Sequence, residues 1–267
     1  MNLLHRRSSS APLGLPRLEP ASPQGDGSAG AVLVLHGGRP DGQQGADGFL
    51  LSHVRMVPFG QAIARAGASA ATGDGTGSSR GVETDLLRYR VRGWNAPDRA
   101  TEHADGPSTN PDPVRDARWA LDDLRRRHGP DVRVVLVGHS MGARAALRVG
   151  GDPNVVGVAA LAPWIGRHEP TEHLRGQTLL VAHGDRERMT DPRASLWFAR
   201  EVAGISDHVA RFEVHGDGHA MLRRAGEWHG LVARFTMAAL GLEPFDDAVA
   251  KAMAAGSPEG LSVPLSR

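Results

Sequence analysis

The stretch that most constrains the fold is 132–150, VRVVLVGHSMGARAALRVG. Residues 132–137 form a mostly β-branched, apolar run of the kind a strand buried in a parallel sheet needs, and 143–149 is rich in the helix formers Ala, Arg and Leu. Between strand and helix stands Gly138-His139-Ser140-Met141-Gly142. This G-x-S-x-G pattern is the tight turn that holds a serine in a strained conformation with its hydroxyl above the sheet edge. Its glycines, having no Cβ, let strand and helix approach closely. Glycine is common here, 34 of 267 residues, so the pentapeptide alone is a weak signal. Its place between a buried strand and an Ala-rich helix singles out Ser140 as a nucleophile.

The rest of the chain repeats the same grammar. Strand runs at 31–35, 86–91, 155–161, 177–183 and 208–214 alternate with helical patterns at 55–66, 113–128, 192–203 and 225–240. The first of these helices shows Phe59, Ile63 and Ala66 on one face, with Gly67 as its stop. The second, opened by Pro113, shows Ala117, Ala120, Leu121 and Leu124, and Asp191 with Pro192 reads as the cap and first turn of the third. Such alternation predicts an α/β domain with a mostly parallel twisted sheet and helices on both faces. Residues 1–29, rich in Ser, Pro, Gly and Arg, read as a disordered leader, 30–242 as the domain, and 243–267 as a tail with one weak helix before fraying. Segments 42–48 and 97–113 read as polar loops and 68–83 as a flexible, glycine-rich insertion.

Composition removes several classes of function. The formal net charge is +1, and the 31 basic residues, of which Lys251 is the only lysine, are scattered, so neither nucleic acid nor a membrane surface is expected as a partner. The absence of cysteine excludes disulfides and thiolate chemistry. Arg6-Arg7 is not followed by the apolar core of a signal, and no run approaches a membrane span, so a cytoplasmic protein is expected. His215 and His219 are four apart, but Gly216 and Gly218 between them argue for a loop, so no metal is expected.

A serine hydroxyl needs a base within hydrogen-bond reach, and the base needs an orienting carboxylate. Acids follow the strand at 177–183 as Asp185, Glu187 and Asp191, and histidines follow the strand at 208–214 as His215 and His219. Both positions lie just past strand carboxyl ends, where open α/β sheets bind ligands. Gly37-Gly38, after the strand at 31–35, is either a plain turn or a source of the free backbone N–H groups an oxyanion hole needs. Trp164, after 155–161, reads either as a wall of an acyl pocket or as a half-buried core tryptophan, and Trp94 and Asn95 are similar. Arg88, Arg90 and Arg92 alternate as a solvated strand face or as a charged pocket wall selecting acidic substrates. His36 and His139 read as structural or pocket-lining, and His183 as a buried strand end.

With LHGG, RYRVRGWN, GHSMG, LAPW, AHGDRERMTDP and GHAMLRR in this order, the chain resembles the α/β-hydrolase superfamily over about 31–240, and within it small, cap-poor serine hydrolases of actinobacterial type. The resemblance implies Ser140 as nucleophile, His219 as general base, and the backbone N–H groups of Met141 and Gly38 as oxyanion donors. It implies Glu187 as the triad acid, at a position where such loops usually carry aspartate. Asp185, which would tie its own loop, and Asp191, a helix cap, are the competitors. The short 162–176 connection leaves no room for a large cap domain, which suggests small or extended ester substrates. The expected activity is hydrolysis of a carboxylic ester or thioester through an acyl-enzyme, with no cofactor. Acyl transfer by the same residues and a non-catalytic scaffold acting as a binding module are the alternatives. The oligomeric state has no signature in the sequence.

Overall fold

In the computed structural model, which describes residues 14–21, 29–73, 81–96 and 110–265, the apolar runs pair into one eight-stranded sheet. The strands are β1 (Arg17–Pro20), β2 (Gly30–Leu35), β3 (Val82–Arg88), β4 (Val134–His139), β5 (Val155–Leu161), β6 (Leu179–Gly184), β7 (Val209–Val214) and β8 (Val263–Pro264). Their order is β1-β3-β2-β4-β5-β6-β7-β8, parallel throughout except that β1 runs antiparallel to β3. The helices are α1 (Leu51–Gly73), α2 (Asp112–His128), α3 (Met141–Val149), α4 (Pro192–Ala203), α5 (Ala225–Ala239) and α6 (Asp247–Ala255).

Central strand β4 shows why both faces are covered. All its residues are buried, with Val134 and Leu136 packed among Leu121, Leu147 and Phe198 of α2, α3 and α4. Val135 and Val137 point the other way, into a layer with Met56, Phe59, Trp228, Phe235 and Val249 of α1, α5 and α6. A period-2 chain buried at every position, with apolar residues on both sides, has nowhere to go but between two helical layers. The 162–178 connection carries one 3-10 turn, Glu172–Leu174, and no inserted domain. No helix among the described residues is long and apolar enough to cross a membrane.

Several expectations are corrected. Helix α1 runs through Gly67 to Gly73; a Cβ at Gly67 would stand 2.8 Å from Val82 Cβ, so this glycine admits the close approach of β3 and is not a stop. Strand β3 begins at Val82 and ends at Arg88, three residues short of the expected end, since its partner β2 is spent at Leu35↔Leu87. Residues 17–20 of the expected leader form β1, held by the Arg88–Glu19 ion pair at 2.5 Å. The remainder of that leader, the middle of the 68–83 insertion and most of the 97–113 loop lie outside the described residues.

The tail is also part of the sheet. Asp246 caps α6 by accepting from the Val249 amide at 2.8 Å, and β8 pairs with β7. Buried Arg211 donates to the Leu261 carbonyl at 2.9 Å, which fixes the segment in place. Arg88 and Arg90 do not form a solvated face. Arg88 also donates to the carbonyls of Ala46 and Gly48, and Arg90 pairs with buried Asp116 at 2.5 Å and with Asp112 at 3.1 Å.

Candidate active site

Ser140 follows the last residue of β4 and precedes α3, at φ 55° and ψ −116°. For a residue with a Cβ this is a strained conformation. Close packing enforces it: a Cβ on Gly138 would stand 2.5 Å from Ala143 Cα, and one on Gly142 would strike the Leu35 carbonyl. The Ser140 amide donates to the Leu161 carbonyl at 3.0 Å, and its own carbonyl accepts from the amides of Arg144 (3.1 Å) and Trp164 (3.2 Å). Among the described residues, Asn95, Ala162 and Met221 are the other non-glycine residues at positive φ, and they follow β3, β5 and β7. Strain is thus concentrated along the carboxyl edge of the sheet, where ligands bind in open α/β folds.

On the same edge the loops after β6 and β7 bring Glu187 and His219 together. His219 Nδ1 lies 2.8 Å from Glu187 Oε2. The Glu187 carboxylate is fully buried, and its Oε1 accepts from the amides of Arg188 (2.7 Å), Met189 (2.6 Å) and Thr190 (3.3 Å). Burial by itself would raise the carboxyl pKa, but the bonds from His219 and from these amides outweigh it and hold Glu187 at about 2. His219 is therefore oriented by a fixed negative charge.

The competing acids are engaged elsewhere. Asp191 is the α4 cap, accepting from the Arg193 amide at 2.9 Å. Asp185 reaches across to the histidine loop, accepting from the Gly216 amide at 2.7 Å and pairing with His215 at 2.6 Å. Sequence reasoning missed Asp217, whose carboxylate accepts from the Gly218 amide (2.8 Å), the Arg224 amide (3.1 Å) and Trp228 Nε1 (3.0 Å). It anchors the histidine loop to α5. The GDGH context marks a tight loop but not the partner 11 residues on.

His139 links the serine turn to the histidine loop. Its Nε2 lies 2.9 Å from the His219 carbonyl, and the two rings lie 4.6 Å apart. On the other side Gly37 faces the turn, since a Cβ there would stand 3.4 Å from Ser140 Cβ. Gly38 is pinned between the Met141 side chain and the Arg92 carbonyl, leaving no room for a Cβ. Among the described residues neither the Gly38 nor the Met141 amide donates a hydrogen bond, so two free donors flank Ser140. The Ser140 hydroxyl likewise has no hydrogen-bond partner among the described residues, His219 included.

Trp164 is half-buried and meets Trp94 edge to face at 5.9 Å. The Arg144 guanidinium lies over both rings, at 4.4 Å from the Trp94 centroid and 4.8 Å from the Trp164 centroid, while pairing with buried Glu169 at 2.6 Å. Fully buried Trp94 is a core residue, and Asn95 holds its own loop by bonds to Gly42 and Asp112.

No protein-family model matches the chain, and no curated protein matches it by sequence. Solved structures do. A serine hydrolase homologue from Coxiella burnetii aligns over 84% of this chain and 93% of its own, with a TM-score of 0.53 and 16% identity. Est1E from Butyrivibrio proteoclasticus, solved with ferulic acid bound, aligns over 85% and 96% at a TM-score of 0.56 and 10% identity. An α/β serine hydrolase without lid from Xanthomonas campestris aligns over 82% and 86% at 0.52 and 16%. The fold is that of the cap-poor α/β hydrolases.

Within this α/β-hydrolase fold three buried imidazoles surround the site. Burial is the first cause holding His36 and His139 at about 3 and His183 at about 4. Unfolded, each would titrate near 6.5, so between pH 6.5 and about 4 the unfolded chain binds more protons and stability falls as pH falls. Together they cost on the order of 6 kcal/mol by pH 5, comparable to the whole stability of a domain. Asp85 and Asp116, whose carboxyls burial pushes up, act in the opposite sense. We expect the thermal midpoint to drop steeply between pH 7 and pH 5. A midpoint constant over that range by circular dichroism would contradict neutral burial of these rings.

Proposed function

We propose that the protein is a serine hydrolase that cleaves carboxylic esters or thioesters through an acyl-enzyme on Ser140. The observation that carries this reading is the 2.8 Å bond between His219 and the buried Glu187 carboxylate, on the sheet edge where Ser140 is held in its strained turn. Apo sites commonly hold such a serine outside hydrogen-bond range and tighten only around substrate.

In this reading Ser140 Oγ attacks the carbonyl carbon while His219 Nε2 takes its proton. Glu187 stabilises the imidazolium through Nδ1. The amides of Gly38 and Met141 donate to the oxyanion, at the point in the reaction where negative charge appears. His219 then delivers the proton to the alkoxide or thiolate as the C–O or C–S bond breaks. Water repeats the attack on the acyl-enzyme, gives its proton to His219, and Ser140 Oγ recovers that proton as the acid leaves. Trp164, whose amide bonds to the Ser140 carbonyl, borders the acyl group.

A chain-length series of p-nitrophenyl esters tests the proposal. Turnover is expected, fastest with short acyl groups, because no inserted domain covers the site. Folded protein that hydrolyses none of this series, nor a matching series of acyl thioesters, above the buffer rate would overturn it.

A further inference from the structure

A cleft of about 450 Å³ opens beside the proposed oxyanion amides, bounded by Gly37, Gly38, Arg39, Phe49, Leu51 and Arg92. Its walls combine two chemistries. Phe49 and Leu51 present exposed apolar surface, and Arg39 and Arg92 bring two guanidinium groups. The arginines come from adjacent backbone, since the Arg39 amide donates to the Arg92 carbonyl at 3.0 Å. Arg92 Nε donates to the Gly45 carbonyl at 3.0 Å, which fixes the plane of its fork.

Among the described residues, neither of these two arginines is paired with a carboxylate. Arg88, Arg90, Arg125 and Arg127 each pair with carboxylates. The Arg39 side chain and the terminal amino groups of Arg92 have no partner among the described residues, and none of the described walls of the cleft is acidic. Asp47, in the same loop, is paired with Arg17 at 2.9 Å, and Glu19 with Arg88 and His53. A further cation, Arg55 in the first turns of α1, lies near enough to His139 to help keep that ring neutral. Two unpaired guanidinium groups on an apolar cleft that ends at the serine turn are suited to a substrate that carries a negative charge of its own.

We propose that this cleft is a subsite for an anionic substituent of the substrate, so that the preferred esters bear a carboxylate on a short apolar arm beside the scissile carbonyl. The inference rests on the hydrolase reading for its location and not for its chemistry. Arg39 and Arg92 take the carboxylate, Phe49 and Leu51 pack against the arm, and the carbonyl is delivered to Ser140. A face of unpaired cations also attracts anionic esters at a distance, an effect that salt weakens.

The test uses two matched pairs. In one, 4-acetoxybenzoate against its methyl ester, the charge lies on the leaving side. In the other, 4-nitrophenyl hydrogen glutarate against 4-nitrophenyl pentanoate, it lies on the acyl side. Binding is measured by calorimetry on the full chain carrying Ser140→Ala, and turnover on the wild type. We expect the charged member of one pair to bind at least about tenfold more tightly at low ionic strength, which also tells the side. That preference should shrink in salt and disappear with Arg39→Gln added. Arg39 is exposed and unpaired, so this variant folds, and Arg92→Gln extends the series. Equal binding within both pairs, or a preference that survives both substitutions, would overturn the subsite. Preferential binding with no turnover of any ester would sink the hydrolase reading and leave the subsite standing, whereas turnover of neutral esters without preference would do the reverse.

Discussion

Replacing Ser140 by Ala is expected to lower kcat/KM toward an activated ester by about ten thousand-fold or more while leaving the fold unchanged. The hydroxyl has no hydrogen-bond partner among the described residues, so its removal orphans nothing. Alanine keeps the same Cβ and therefore the same strain at φ 55°, which the packing of Gly138 and Gly142 imposes on any residue there. What disappears is the group that forms the acyl-enzyme in the proposed mechanism. The free amides of Gly38 and Met141 remain, so a trace of carbonyl polarisation above the water rate should persist. Comparing kcat/KM and thermal midpoint for the two proteins checks both halves. Full activity in the variant would remove Ser140 from the mechanism.

Glu187→Gln is expected to reduce kcat by between about a hundredfold and ten thousandfold, with little change in KM. Three backbone amides already point at Oε1, so the glutamine oxygen must occupy that position. Its NH2 group then faces His219 Nδ1, where the carboxylate oxygen stood at 2.8 Å. An amide that donates to Nδ1 forces the ring proton onto Nε2, and a protonated Nε2 cannot accept from Ser140. The loss thus comes from the wrong tautomer and the missing counter-charge together. Asp185→Asn and Asp191→Asn should keep activity within a few-fold, because those carboxylates hold Gly216 and His215 and the start of α4. Asp191→Asn retains a capping side chain, so its stability should change little. Near-normal kcat in Glu187→Gln, with loss in either aspartate variant, would reassign the acid.

Where chemistry is local, the sequence is legible. β5 and α4 coincide with the runs read from composition, and β4 and β6 fall within two residues, because a buried apolar run bounded by turns encodes its own state. Ser140 lies at the strained turn that its two glycines announce, and Asp191 caps the helix it precedes. Long-range pairing is not written locally. RLEP at 17–20 carries no strand pattern of its own and becomes β1 only because β3 offers an edge and Arg88 offers a partner. Gly67 looks like a stop in one dimension and is an approach to Val82 in three. The three arginines after Leu87 look equivalent at alternating positions, yet two are consumed by Glu19, Asp112 and Asp116, and Arg92 alone faces a cleft. In the same way, the support that Asp217 and His139 give the histidine loop depends on contacts 11 and 80 residues away in sequence.

The central claim, that this chain activates Ser140 as a nucleophile, is tested most directly by a fluorophosphonate probe with intact-mass and peptide readout. Phosphonylation requires an activated serine and an oxyanion site but no knowledge of the substrate. One adduct per chain is expected on wild type, located on Ser140, lost in Ser140→Ala and strongly slowed in Glu187→Gln. Folded wild-type protein that takes no adduct, or takes it at another serine such as Ser195, would contradict the claim.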